Sequence, residues 1–280
     1  MKIGEPLIIN LACTGVIPTK AMTSKVPVSH NEIIDDIAQC MELGIQMVHI
    51  HARDAHESHT GDPEPYGRLV ESLRKLPNGK QLIVCVTTSG REEPSFEPRS
   101  RVLDLDGDAK PDMGSLTLSS LNFVKSASIN APDTIRQLAQ RMQERDIKPE
   151  LEVFDIGMAN FISELAKEGL VQAPYYVNIL LGNIAGAQPE LTQLAAIVSA
   201  LPEQSIISIA GLGKFQLGAN TLGLLVADGV RVGIEDNIWM NQNRTEYASN
   251  ITLVERIITQ ADILERPVRD RNNLRKMLDL

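Results

Sequence analysis

His49 and His51 stand one residue apart at the end of an apolar run, in the stretch GIQMVHIHARDAHESHTG, residues 44–61. Four of the chain's five histidines lie there, and none follows His59. Side chains alternate faces along a strand, so His49 and His51 point one way while Val48 and Ile50 point the other. The same parity in GVRVGIEDN, residues 229–237, sets Arg231, Gly233 and Glu235 against Val230, Val232 and Ile234. If the apolar sets face a helix layer, two imidazoles and one carboxylate converge on the opposite side. That is a three-ligand set with an open fourth position, and its nitrogen and oxygen donors suit Zn²⁺ better than Mg²⁺ or Ca²⁺. Asp236, next to Glu235, is placed to act as a general base. Arg231 is placed to stabilise developing negative charge or to balance Asp236. The plainer reading of the same residues is two histidines hydrogen-bonded to polar neighbours, with Arg231 and Glu235 as a structural pair.

Other polar groups collect at strand ends. Thr87, Thr88, Ser89 and Gly90 offer hydroxyls and backbone N–H groups after LIVCV, and Ser115 and Thr117 do so from SLTLSS. Such donors suit a substrate carboxylate without burying a full positive charge. A polarised carbonyl, a carboxylate clamp and an acidic base together describe enolate chemistry on a keto acid. His56 and His59, in a loop bearing Gly and Asp, read as solvated residues or else as residues that support the converging ligands from behind, and His30 as part of a helix start.

These groups need a scaffold that brings strand ends together. Short runs rich in Val, Ile and Leu alternate with segments of helical period along the chain. Eight strand runs are PLIINLACTG, IQMVHIHARD, KQLIVCVTTSG, a weaker PDMGSLTLSS, KPELEVFDIGM, PYYVNILLGN, SIISIAGLG and GVRVGIEDN. The helices include SHNEIIDDIAQCMELG, capped at Ser29 or Asn31 and stopped by Gly44, and a final long one over residues 243–265. Strict alternation implies a parallel sheet, and eight units in a chain of 280 residues predict a single-domain (β/α)₈ TIM barrel over 1–280, with RPVRDRNNLRKMLDL as a polar C-terminal helical extension. In such a barrel chemistry sits at the C-terminal ends of the strands. The one long irregular piece, residues 89–112, is a candidate active-site loop.

The composition, 43% hydrophobic and 22% charged, is that of a soluble globular protein. A formal net charge of −9 argues against nucleic acid as a partner. No apolar run approaches the ~18 residues that span a membrane, and the N-terminus lacks a signal-peptide pattern. Cys13, Cys40 and Cys85 each lie in an apolar run without CxxC spacing, as buried reduced thiols do, so a cytoplasmic location is expected.

Barrels that carry HxH at the first strand with later histidines, such as amidohydrolases, are excluded, as are class II aldolases that recruit histidines further along. VHIHARD, IVCVTTSG, SLNF at 120–123, PELEVFDIGM and VRVGIEDN resemble the β-keto acid cleavage enzymes, over about residues 7–275. The resemblance implies a zinc-dependent barrel that converts a β-keto acid and acetyl-CoA into acetoacetate and a new acyl-CoA. His49, His51 and Glu235 would hold zinc. Asp236 would abstract the C2 proton, the enolate would attack acetyl-CoA in a Claisen step, and the released thiolate would attack the ketone before a retro-Claisen cleavage. Arg231 would assist the charge changes, Thr87 and Ser115 would hold the carboxylate, and Glu152 would be a further active-site carboxylate. The family also implies a homo-oligomer, a tetramer. Members that take an amino-substituted substrate carry an acid after the first strand's TG, where this chain has Ile17, so a neutral or apolar acyl chain is expected. A zinc-dependent aldolase or hydrolase working without CoA, and a non-catalytic zinc-stabilised ligand-binding barrel, are the competing readings.

Overall fold

A computed structural model describes residues 1–280. Eight parallel strands close into a barrel: β1 (Ile8–Ala12), β2 (Met47–Ile50), β3 (Ile83–Val86), β4 (Met113–Thr117), β5 (Lys148–Val153), β6 (Tyr175–Leu181), β7 (Ser205–Gly211) and β8 (Gly229–Val232). Each pairs with its sequence neighbours, and β1 closes the ring onto β8 with Asn10 opposite Arg231. Helices α1 (His30–Glu42), α2 (Pro63–Lys75), α3 (Phe96–Ser100), α4 (Pro132–Glu144), α5 (Ile156–Lys167), α6 (Leu191–Ala200), α7 (Gln216–Val226) and α8 (Asn250–Ile263) follow the strands, and α9 (Arg271–Met277) ends the chain.

Strand parity sorts the residues into two cores. Ile9, Leu11, Val48, Ile50, Val84, Val86, Val177, Ile179, Val230 and Val232 belong to one apolar cluster with the inward faces of the helices. Ile8, Met47, Ile83, Met113, Tyr176 and Ile206 fill the floor of the barrel with Leu274 and Leu278 of the C-terminal helix. That helix is therefore a plug as well as a polar extension, and burying each of its two leucines contributes about 1.5–3 kcal/mol. Between floor and mouth the interior is polar: Asn10, His49, Ser115, Glu150, Asn178, Ser208 and Arg231 are all buried.

The helix starts are chemical. Ser29, rather than Asn31, caps α1 in a capping box with Glu32, and Gly44 (φ +100°) turns the chain after it. The final long helix starts at 250, not 243. Ser249 accepts from Thr252 N–H in its own capping box, which fixes the start there, and Trp239 stacks on Tyr247 in the preceding loop at 4.4 Å. The irregular piece 89–112 divides in two. Ser89 and Arg91 reach the mouth, while α3 and two 3₁₀ turns (Arg101–Asp104 and Gly107–Ala109) take the place of a flanking helix. Arg99 locks this segment, donating to the Thr88 carbonyl at 2.8 Å and to Asn130 Oδ1 at 2.7 Å. A two-stranded antiparallel hairpin, Leu121–Asn122 with Ala127–Ser128, lies over the mouth and is absent from the sequence expectation. No helix is long and apolar enough to cross a membrane.

Candidate active site

The C-terminal ends of the strands open into a cavity of about 680 Å³, lined among others by His49, His51, Thr87, Thr117, Glu152, Arg231, Glu235 and Asp236. A second cavity of about 500 Å³ lies at the opposite end, where Arg74 and Arg275 both pair with Asp112. The convergent histidines and carboxylates are at the mouth.

His49 Nε2 and His51 Nε2 face each other at 3.2 Å, and Glu235 Oε1 lies 3.3 Å from His51 Nε2 and 3.9 Å from His49 Nε2. Ligand atoms about 2.0–2.1 Å from a tetrahedral zinc stand roughly 3.3 Å apart, so the three atoms fit one ion. Glu235 Oε2 is buried without a hydrogen-bond partner. Three carboxylates (Glu152, Glu235 and Asp236) pair with the single guanidinium of Arg231, and a fourth, Glu150, lies against His49. A divalent cation offsets that excess, and the donor set suits one.

The turn after β8 does what strand parity does not. β8 stops at Val232, and Asp236 N–H and Asn237 N–H both turn back to the Gly233 carbonyl at 3.3 Å. Adjacent side chains Glu235 and Asp236 therefore both enter the cavity, where an extended strand would send them to opposite faces. Arg231 organises the pair. Its Nε donates to Asp236 Oδ2 at 3.0 Å, and its Nη2 donates to Asp236 Oδ1 at 3.1 Å and Glu235 Oε1 at 2.6 Å. Gly15 is required beside them: its φ is +71°, and a Cβ there would meet Glu235 Cγ at 2.5 Å. Arg53 holds this loop by donating to the Gly15 and Pro18 carbonyls.

Burial and charge set the protonation states. Burial holds His51 down to about 4 against the pull of Glu235. Burial also presses His49 toward the neutral ring, but Glu150 and Glu235 outweigh it and hold its pKa above the ordinary value. Glu235 is kept well below the usual carboxylate range by Arg231 and the two histidines, despite burial. Asp236 is raised, by burial first and by Glu235 second, with Arg231 opposing. Burial likewise raises Glu152, against Arg231.

The hydroxyl groups divide. Thr87 lines the cavity, and its Oγ1 accepts from Ser89 N–H at 3.2 Å, leaving its O–H free to donate. Thr117 lines it too but donates to Glu152 Oε2 at 2.6 Å. Thr88, Ser115 and Gly90 do not reach the cavity. Thr88 donates to the Ser115 carbonyl at 2.5 Å and its N–H to Ser115 Oγ at 3.1 Å, which ties β3 to β4. Gly90 is a packing residue, because a Cβ there would stand 2.3 Å from the Ile129 carbonyl oxygen. His56 is exposed, as a solvated loop residue is. His59 is not: its ring centroid is 5.3 Å from that of His51, and its Nδ1 meets Glu92 Oε2 at 2.9 Å.

Sequence reasoning missed Glu150, fully buried, whose Oε2 lies 2.6 Å from His49 Nδ1 and whose Oε1 accepts from Asn10 at 2.7 Å. Glu150 and Glu152 share a face of PELEV, so the parity argument used for Glu235 reaches it. His49, Cys85 and Glu150 form a second close group. It is enclosed in the barrel, and burial raises the Cys85 thiol well above its ordinary value, so it is a hydrogen-bonded set with no open position. Arg91 was also missed, since nothing in SGREEPSF marks it apart from its neighbours.

Residues 6–280 match the family described as beta-keto acid cleavage enzyme. The chain is 30% identical to the 3-oxoadipate:acetyl-CoA acetyltransferase of Cupriavidus necator, over 99% of this chain and 95% of that protein. It is 30% identical to the 3-keto-5-aminohexanoate cleavage enzyme of Fusobacterium nucleatum, over 99% of this chain and 98% of that one. Among solved structures, the apo structure of ObcA matches with a TM-score of 0.81 at 19% identity, over 93% of this chain. The chain spans 66% of that longer chain, and the likeness is one of fold.

Proposed function

The chain belongs to the beta-keto acid cleavage enzyme family, and from that membership and the geometry at the barrel mouth we propose that it converts a β-keto acid and acetyl-CoA into acetoacetate and a new acyl-CoA. The observation that carries this reading is the convergence of His49, His51 and Glu235 beside the Arg231–Asp236 pair. Relatives at 30% identity named for acetyl-CoA acetyltransfer and for keto acid cleavage support it.

His49, His51 and Glu235 would hold zinc, which supplies polarisation of a carbonyl oxygen. Glu150 fixes the His49 ring so that Nε2 faces the mouth. Thr87 offers its hydroxyl to the substrate carboxylate, and Thr88 and Ser115 hold the strand end that presents it. Asp236 removes a proton from C2 of the keto acid; burial makes it a stronger base than an exposed aspartate, and Arg231 keeps it ionised and aimed. The C2 carbanion adds to the thioester carbonyl of acetyl-CoA and the CoA thiolate leaves. That thiolate then attacks the C3 ketone, the C2–C3 bond breaks, and Asp236 returns its proton to C2. The products are acetoacetate and the acyl-CoA. Arg231 stays charged and stabilises the negative charge that develops at each step, with Glu152 paired to its Nη1 at 3.5 Å. Lys125, Lys214 and Arg244 line the outer cavity without acidic partners and suit the phosphates of CoA.

The same reading makes the protein a cytoplasmic homo-oligomer. Three free buried cysteines suit a reducing compartment. Ile156, Ile184 and Leu191, exposed on successive βα units, supply apolar surface for assembly.

The test is a mass-spectrometric product screen of zinc-loaded protein with acetyl-CoA and β-keto acids whose tails are neutral, cationic or anionic. Acetoacetate must appear together with a new acyl-CoA. Turnover of a keto acid without thioester exchange would refute the reading in favour of an aldolase or hydrolase.

A further inference from the structure

Arg91 is the one half-buried cation of the cavity wall that no carboxylate engages. Its guanidinium carbon stacks 3.9 Å from the ring centroid of Phe123, and its Nε donates to Ser126 Oγ at 3.3 Å. Both contacts come from the hairpin over the mouth, and Phe123 is itself held edge-on by Phe154, with ring centroids 5.9 Å apart. The two Nη groups have no protein acceptor and are not sealed from solvent, and the residue lines the cavity. The nearest acid in sequence, Glu92, is turned onto His59 Nδ1 at 2.9 Å. A planar fork fixed at one edge with its two outer nitrogens free is a bidentate receptor for a carboxylate.

Resting on the reaction proposed above, we infer that Arg91 reads a second carboxylate, carried on the acyl tail, so that the substrate is a β-keto dicarboxylic acid. The C1 carboxylate common to all β-keto acids has a nearer donor in Thr87, at the strand end beside the metal-ligating set. The phosphates of CoA have the exposed Lys125, Lys214 and Arg244 further out. Arg91 follows Thr87 by four residues on the loop after β3 and lines the same cavity, held against the hairpin at its mouth. The carboxylates of the cavity lining, Glu152, Glu235 and Asp236, all pair with Arg231, and none forms an ion pair with Arg91. This replaces the neutral tail expected from Ile17: that side chain supplies no charge to the cavity, and Arg91 supplies one that the sequence does not reveal.

The experiment compares two six-carbon β-keto acids, one ending in a methyl group and one in a carboxylate, on the zinc-loaded wild type, Arg91→Gln and Arg91→Lys. The wild type favours the carboxylate-ended substrate in kcat/KM. Arg91→Gln lowers that preference roughly 10- to 100-fold, the range expected for a charged hydrogen bond, and Arg91→Lys lowers it less. A preference for the methyl-ended acid, an unchanged ratio in Arg91→Gln, or a loss that appears as a raised KM for acetyl-CoA overturns the assignment. Calorimetric titration of adipate against hexanoate gives a readout independent of turnover. If neither keto acid reacts, the reaction itself is wrong, and the titration alone decides Arg91: tighter adipate binding that disappears in Arg91→Gln upholds its role, and equal binding of the two acids removes it.

Discussion

Glu150 Oε2 sits 2.6 Å from His49 Nδ1, one layer beneath the mouth of the barrel. The contact decides which nitrogen of His49 faces Glu235 and His51, because a ring that donates Nδ1–H downward presents an unprotonated Nε2 upward. Carboxylates placed in this way behind a histidine ligand typically contribute 10- to 100-fold to metal affinity. Glu150→Gln should therefore lower zinc affinity by roughly that factor while the barrel stays folded. Chelator competition followed by circular dichroism checks both. Unchanged affinity would mean that the packing of the ring alone orients His49.

Removing a ligand acts more severely. His51→Ala or Glu235→Ala leaves two of the three converging atoms, and zinc content measured by plasma mass spectrometry should fall from about one ion per chain to near zero after dialysis. A full complement in both variants would place the metal elsewhere, with the enclosed His49–Cys85–Glu150 group the first place to look.

Asp236→Asn separates chemistry from metal binding. Asparagine keeps the shape and one acceptor for Arg231 but cannot take a proton. Turnover should drop by roughly 10²- to 10⁴-fold, the usual worth of a general base, with zinc content unchanged. Turnover near the wild-type rate would transfer the base role to Glu152, the other buried carboxylate whose affinity for a proton is raised.

Much of this was legible in the residues. Alternation along VHIH and VRV assigned the inward and outward faces, because both strands carry apolar side chains on one face only. The barrel followed from the count of strands and helices. Glu150 was equally legible by parity and was missed because PELEV carries two acids. Three features were not legible. The turn at Gly233 breaks parity, so Asp236 enters the cavity for a reason that lies in backbone hydrogen bonds. The hairpin at 121–128 has strands of two residues, too short for any period to register. Thr88 and Ser115 look like cavity donors in sequence, yet Thr88 bonds to Ser115 through both its hydroxyl and its N–H, and neither residue lines the cavity.

Gly15 tests how closely the first loop supports the site. Alanine there suffers twice, from a backbone at φ +71° and from a Cβ 2.5 Å from Glu235 Cγ. Gly15→Ala should displace Glu235 and lower zinc affinity and activity together, with a loss of stability of about 1–2 kcal/mol. Denaturant melts paired with metal titration would show it. A stable variant with full affinity would mean the 15–18 loop gives way despite the hold of Arg53.

Asp36 on α1 carries a stability prediction remote from the chemistry. It is largely buried, and burial raises its pKa to about 6 although Asn250 Nδ2 donates to it at 2.6 Å. An acid whose pKa is higher folded than unfolded binds its proton more tightly in the native state. Stability is then greatest below the unfolded value near 4 and declines as pH rises toward 6, after which the loss is constant. At about 1.4 kcal/mol per pH unit, the loss at neutral pH is of order 2–3 kcal/mol. Asp36→Asn keeps an oxygen for Asn250 and removes the charge. It should raise the melting temperature at pH 7 and flatten that part of the pH dependence between about 4 and 6. Thermal melts of both proteins across that range decide the matter: parallel curves would show that water reaches Asp36 and that its carboxylate is not penalised by the fold.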